Sequence, residues 1–273
     1  MKQLLNSELI VNNDGSIYHL GLKPEHLCDT ILTVGDPDRV SLITRHFDNI
    51  DYEIRNREFV SIGGQLKGER FVVLSTGIGT DNIDIVLNEL AFLANYNLRT
   101  RTLKTGLRKL RIIRLGTSGS VSQKNRLGDI VYSENAISFD DLFHFYRNDF
   151  DTVTFDNRNF PVIPCSKDLE SQFSRFKSSL TLTAKGFYGP QFRQSQLAPK
   201  YVLSQLADIQ YKGQRIGNIE METAGIYGLS SLLGFEAISI NAILANRSTG
   251  DFHENPQAVI DQMITETLDI LCS

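Results

Sequence analysis

Three short segments of this 273-residue chain combine residue types suited to holding a small anion and a sugar. Val34-Gly35-Asp36-Pro37-Asp38-Arg39 joins an apolar run to a helical pattern. Gly35 permits close approach to the backbone, Pro37 presets the first helical turn, and the N–H groups of such a turn point outward. Arg39 adds a fixed cation. The combination makes an oxyanion site without a P-loop, although an ordinary strand-to-helix turn has the same ingredients. Arg114-Leu115-Gly116-Thr117-Ser118-Gly119 repeats the pattern with one Arg, two Gly and two hydroxyls. Two such loops at the carboxyl ends of strands in one sheet would converge on one ligand. Arg39, Arg114 and Thr117 suit phosphate, whose oxygens a guanidinium meets in bidentate fashion. On this reading, removing Arg114 costs activity and leaves the fold intact. In Asn218-Ile219-Glu220-Met221-Glu222-Thr223-Ala224 two acids alternate around a Met where a strand runs into a helix. A carboxylate there can accept hydrogen bonds from a vicinal diol, as on ribose, or simply complement the helix start.

Other chemistries lack their signatures. There is no GxxxxGK[ST]. Gly77-Ile78-Gly79-Thr80-Asp81-Asn82 begins like a dinucleotide fingerprint but lacks its third Gly and the acid about twenty residues on. Neither HExxH nor GxSxG occurs, and His19, His26, His46, His144 and His253 are scattered, which argues against zinc hydrolysis and a serine triad. Cys28, Cys165 and Cys272 form no disulfide framework and no CxxC metal spacing, so no metal site is expected. A net charge of −4 argues against a nucleic-acid partner. No apolar run reaches the ~18 residues of a membrane span, and the first eight residues lack a signal-peptide core, so a cytoplasmic protein is expected.

The elements that must position these segments follow from periodicity. Strands are expected at Thr30–Gly35, Arg111–Leu115, Asp129–Ala136, Thr181–Gly186 and Glu236–Ala245, with a hairpin over Glu58–Ser75 turning at Leu66-Lys67-Gly68-Glu69. Helices are expected at Asp38–Phe47, Asp81–Tyr96 (burying Ile85, Leu90 and Leu93), Lys167–Phe176, Glu222–Leu233 and Pro256–Leu271. Strands alternating with helices predict an α/β fold, a single-domain three-layer α/β/α arrangement over residues 1–273 with a mixed, largely parallel central sheet. Arg99–Arg111 holds six basic residues and no acid, which reads as a polyanion patch or as a solvated face or oligomer-surface loop.

The ordered set of motifs resembles the nucleoside phosphorylase family, and within it the uridine-cleaving enzymes, across nearly the whole chain. His19-Leu20-Gly21-Leu22 is similar to the family's N-terminal HLGL, Gly35–Val40 to its first phosphate loop and Arg57-Glu58-Phe59 to its REF element. Ser75–Gly79 and Arg114–Gly119 match the next two loops, and Glu220-Met221-Glu222 the ribose-binding EME. Phe187, Gln191 and Arg193 have the spacing of the uridine enzymes' base site. The residues agree: Gln supplies a donor and an acceptor for the uracil edge, Arg donors only, and Phe a stacking face. An extended segment would point Gln191 and Arg193 the same way. Asn246-Arg247 stands where purine-cleaving relatives carry an Asp; Asp251 lies nearby.

The resemblance implies phosphorolysis of a nucleoside, with uridine favoured over the purine-phosphorylase and nucleosidase alternatives. It implies phosphate on Gly35, Arg39, Arg57, Arg114 and Thr117, ribose on His19, Met221 and Glu222, and base on Phe187, Gln191 and Arg193. Arg114, Gln191 and Arg193 would carry catalysis. It further implies no organic cofactor, at most a monovalent cation near Glu58, and a homodimer with shared active sites, up to a trimer of dimers, in which His19 and Arg57 reach the neighbour. The stretch between Leu90 and Arg114, which contains the basic run, is longer than the resemblance leads one to expect.

Overall fold

The computed structural model describes residues 3–273. The chain forms two compact units, the first running to Ile113 and including residues 229–236 and 272, the second made of 114–228, 237–271 and 273. The fold is α/β with a mixed sheet. No helix among the described residues is long and apolar enough to cross a membrane.

The first unit contains β1 (Thr30–Val34), α1 (Asp38–Thr44), β2 (Asn49–Asn56), β3 (Phe59–Leu66), β4 (Glu69–Ser75), α2 (Thr80–Asn95), β5 (Tyr96–Asn97) and β6 (Thr102–Leu103). β1 lies parallel to β4, with Val34 opposite Ser75, and β4-β3-β2 form an antiparallel meander. The β3–β4 turn uses Lys67 and Gly68, both at positive φ (51° and 85°), the pair of left-handed residues that a tight hairpin needs. α1 packs on β3 and β4 through Val40 and Ile43. α2 buries Ile83, Val86, Leu87, Leu90 and Leu93, while Ile85 is only half-buried.

The basic run serves this unit's own structure. Arg101 Nε donates to the Leu9 carbonyl (3.0 Å), and Lys104 Nζ to the Ala94 carbonyl (2.9 Å) at the end of α2, where a cation also complements the helix dipole. Arg108 pairs with Asp29, and Lys109 with Glu236 (2.6 Å), which Arg111 also approaches. Five of the six cations thus have partners within the unit, and Arg99 is exposed. Lys104→Met should lower stability by about 1 kcal/mol in urea denaturation, the scale of a lost helix-end contact, and leave turnover unchanged.

β7 (Arg111–Ser120) crosses from one unit to the next. The second unit continues with β8 (Ile130–Phe139), β9 (Asp151–Phe155), β10 (Arg158–Pro164), α3 (Lys167–Gln172), β11 (Lys177–Ala184), β12 (Gln210–Tyr211) and β13 (Gln214–Glu220). It ends with α4 (Thr223–Leu233), β14 (Glu236–Asn246), β15 (Asp251–Phe252) and α5 (Pro256–Leu271). β11 runs parallel to β8 and β13, whereas β8 is antiparallel to β10 and β14. Ile137, Phe160, Leu180, Leu182, Phe192, Leu206 and Ile219 contribute to one apolar cluster here.

The interior of this unit is also polar. Asn218 Oδ1 accepts from Ser179 (2.6 Å) and Thr181 (3.0 Å), Thr181 meets Ser133 (2.6 Å), and Asn241 Nδ2 donates to Ser133 (3.1 Å). Asn125 joins through Ser179, and Ser118 through Asn218 Nδ2. All seven residues are buried, and each finds a partner, which is what makes their burial tolerable. β7 therefore does not end at Gly116. It continues through the small residues Thr117 to Ser120, whose polarity reads as a loop in sequence; here Ser118 accepts from Asn218 and Ser120 donates to the Ser122 carbonyl.

Candidate active site

In the first unit two loops leave the same end of the parallel pair β1–β4. Val34 O accepts both the Thr76 N–H (2.8 Å) and its hydroxyl (3.2 Å), so the loop after β4 is tied to the end of β1. A Cβ on Gly35 would stand 3.4 Å from the Gly77 carbonyl. Gly77 and Gly79 both have positive φ (70° and 92°), and a Cβ on Gly77 would lie 2.4 Å from Asn82 Nδ2. Arg39 is half-buried just inside α1. Arg57 occupies the β2–β3 turn at φ 54°, exposed, with its guanidinium 4.8 Å from the Tyr18 ring centroid. Glu58, beside it, is exposed. His19 is half-buried, and its Nδ1 lies 2.7 Å from Glu89 Oε1.

In the second unit Arg114 is a buried strand residue and not a loop residue. Its Nη2 reaches Glu222 Oε2 (2.5 Å) and Glu220 Oε2 (3.2 Å), and its Nη1 donates to Asn241 Oδ1 (2.8 Å) and Ser239 Oγ (3.2 Å). Burial works against the charge, but Glu220 and Glu222 outweigh it and hold the guanidinium above its ordinary value. Glu220 also accepts the Thr183 hydroxyl (2.6 Å) and the N–H groups of Glu222 and Thr223 (2.9 Å each), which pins the start of α4. Glu222 is thus oriented by Arg114, with Met221 half-buried between the two acids. Thr117 is half-buried further along β7. A Cβ on Gly116 would lie 1.8 Å from Arg114 Nη1. Four protein acceptors fix that guanidinium, so Gly116→Ala should displace it and lower kcat/KM by ~10²-fold, with a smaller change in circular dichroism.

The segment expected to be extended is curled. A 3-10 turn spans Gly189–Gln191, Phe192 sits in the left-handed region at φ 60°, and the Tyr188 carbonyl accepts the N–H groups of both Gln191 and Arg193. Phe192 turns into the apolar cluster. The Arg193 guanidinium lies over the Phe187 ring, 4.0 Å from its centroid. Phe187 remains half exposed, and the Gln191 side chain is buried. The Gln191 carbonyl accepts Arg247 Nη1 (3.1 Å). Burial lowers the Arg193 guanidinium, and burial together with Arg193 brings Arg247 down to about 10. Neither has a carboxylate within ion-pair distance among the described residues. Asp251 is exposed on β15, where it accepts the Thr249 hydroxyl.

The family model of the phosphorylase superfamily matches residues 29–273. The chain belongs to the phosphorylase superfamily. This phosphorylase is 25% identical over 274 residues to the uridine phosphorylase of Thermococcus kodakarensis, covering 99% of this chain and 92% of that one. It is 28% identical over 260 residues to the DeoD-type purine nucleoside phosphorylase of Listeria monocytogenes, covering 92% and 97%. A Trypanosoma brucei nucleoside phosphorylase structure, described as showing uridine phosphorylase activity, superimposes with a TM-score of 0.85 at 25% identity over 96% of this chain and 99% of that one. The phosphorylase is accordingly an enzyme of the pentosyltransferase class.

Several neighbours of the site are not legible as site residues in the sequence. Arg247 is visible as an Asn-Arg pair, but its meeting with the 187–193 segment depends on tertiary structure. Its stem lies over Gly119, where a Cβ would stand 3.2 Å from Arg247 Cγ. Ser239 and Asn241, which hold Arg114, read as ordinary polar positions of a buried strand. In this phosphorylase they form the floor on which the cation rests.

Proposed function

We propose that this phosphorylase cleaves uridine with inorganic phosphate to uracil and ribose 1-phosphate. The observation that carries the reading is the pair of half-buried guanidiniums, Arg193 and Arg247, gathered beside Gln191 and Phe187 without a compensating carboxylate. Uracil leaves carrying the electron pair of the broken C–N bond, and that charge spreads onto its two carbonyl oxygens. Two cations and an amide serve such a leaving group. A purine is cleaved more readily when an acid protonates it, and the 187–193 segment with Arg247 offers donors that are already cations.

In this reading Gly35, Arg39, Arg114 and Thr117 are phosphate ligands, joined by Arg57 from a neighbouring subunit of a homodimer. Glu222 and the Met221 backbone hold the ribose hydroxyls, and His19 of the neighbour holds the 5′-hydroxyl. A phosphate oxygen bonds to C1′ as the bond to N1 breaks, with positive charge developing on the ribose between anionic phosphate and departing uracil. Catalysis comes from positioning and preorganised charge, without a covalent protein nucleophile or an organic cofactor. A cytoplasmic role in pyrimidine salvage fits that activity. Glu58 is the proposed neighbour of any monovalent cation.

Uracil release from uridine, measured with and without phosphate, tests the reaction. Release that requires phosphate and yields ribose 1-phosphate is expected; equal release in water alone would make the protein a nucleosidase. Mixing Arg57→Ala with Glu222→Gln protein should restore part of the activity through hybrid dimers. No recovery after demonstrated subunit exchange would remove the shared site.

A further inference from the structure

Glu89 is a buried carboxylate in the third turn of α2, surrounded on its helix by Val86, Leu90 and Leu93. Burying a charge in such a place is costly, and an apolar residue would pack there at less expense. Its contacts all go to one segment. Its two oxygens accept the backbone N–H of His19 (2.9 and 3.0 Å), the backbone N–H of Leu20 (2.8 Å) and the imidazole Nδ1 of His19 (2.7 Å). From the other side Asn56 Nδ2 donates to the carbonyls of Tyr18 (3.1 Å) and His19 (2.7 Å), so the His19 peptide is held on both faces.

Two backbone N–H groups would already satisfy the carboxylate. The third bond, to the ring, has a chemical consequence. A carboxylate only accepts, so the proton of a neutral His19 must sit on Nδ1, and Nε2 is left unprotonated. Nε2 makes no hydrogen bond within the described residues, and 28 % of the side chain is exposed. We propose that Glu89 is a positioning residue for the nucleoside: it holds the His19–Leu20 segment and presents His19 Nε2 as an acceptor for the 5′-hydroxyl. The proposal rests on the ribose role of His19 given above and adds the residue that enforces it.

The test compares Glu89→Gln, Glu89→Asp and His19→Ala on uridine and 5′-deoxyuridine, with inosine and 5′-deoxyinosine in parallel so that base choice does not enter. Glu89→Gln should lower kcat/KM for the 5′-hydroxylated nucleosides about tenfold, the range of one hydrogen bond, mostly through KM. The 5′-deoxy substrates should change by less than about twofold. Glu89→Asp, which keeps the charge but withdraws it from the ring, should show the same selective loss. His19→Ala should abolish the preference for the 5′-hydroxyl, and adding Glu89→Gln to it should cost nothing further. Equal losses on both substrate types, with a lowered Tm, would mean that Glu89 only braces α2 against the N-terminal segment and would overturn the proposal. A His19→Ala enzyme that keeps the 5′-hydroxyl preference would overturn it differently, by removing the ribose role of His19. Phosphate-dependent uracil release stands or falls separately.

Discussion

Arg114→Ala is expected to lose about 3–5 kcal/mol of stability as well as several-hundredfold in kcat/KM. As a loop cation the residue would be dispensable to the fold. In the structure it pairs with both Glu220 and Glu222, and all three side chains are buried. Truncation leaves two buried carboxylates without that cation, and removing one partner of a buried ion cluster costs far more than the cluster contributes over an apolar substitute. The activity loss has a second source, since Glu222 loses the contact that aims it. Urea denaturation and steady-state kinetics separate the two effects. Combining Arg114→Ala with Glu222→Gln should recover part of the stability and none of the activity. Wild-type stability in Arg114→Ala would contradict the buried cluster, and wild-type kcat/KM would contradict the catalytic role.

Uridine should be preferred over inosine by ~10⁴-fold, because a site built to hydrogen-bond one polar edge leaves its groups unpaired against another. Cytidine should also be poor, since its amino group places a donor where the two guanidiniums need an acceptor. Arg193→Ala should lower kcat/KM for uridine far more than it raises the phosphate KM. Arg247 adds a sign that separates function from stability. Its proton affinity is lowered to about 10 by burial and by Arg193, so folding brings the charged form into a less favourable setting than the unfolded chain offers. Arg247→Met should therefore raise the Tm of the ligand-free enzyme while lowering uridine turnover, the expected trade at a site whose charges await a ligand. Inosine cleaved as fast as uridine would remove the pyrimidine assignment, and a lowered Tm in Arg247→Met would show that the guanidinium stabilises the empty enzyme.

The elements with strong local signals are legible in the sequence. The β3–β4 turn announces itself by Lys-Gly between β-rich runs, and α5 begins at Pro256 and ends at Leu271 as its periodicity indicates. α1 and α3 stop earlier than their apolar pattern, at Thr44 and Gln172. β2 escapes notice because five of its eight residues are exposed, so no buried face alternates clearly. The Arg114 segment misleads for the opposite reason: its hydroxyls and glycines look like a loop, yet Asn218 of β13 holds Ser118, and Ser239 and Asn241 of β14 hold Arg114, inside the unit. Gln191 and Arg193 were legible as a pair but not their geometry, because the left-handed turn at Phe192 arises from burial of its ring in the apolar cluster. Glu89 has no local signal at all; its partner lies 70 residues away.

The hydroxyl and amide chain through the second unit also bears on how the sheet finds its alignment. Apolar strands tolerate sliding, since one Val or Leu replaces another against the same neighbour. Here β11 is irregular against both partners, shifting between Ser179 and Leu180 relative to β8 and between Leu180 and Thr181 relative to β13. That irregularity lets Ser179 and Thr181 reach the same Asn218 oxygen. A one-residue slip of β11 would turn Ser179 and Thr181 toward the opposite face and take both from the Asn218 oxygen, at about 1–3 kcal/mol for each group left unpaired. The polar ladder thus acts as a combination lock on strand alignment. It opens only in the native pairing, which is also the one that sets Asn241 under Arg114.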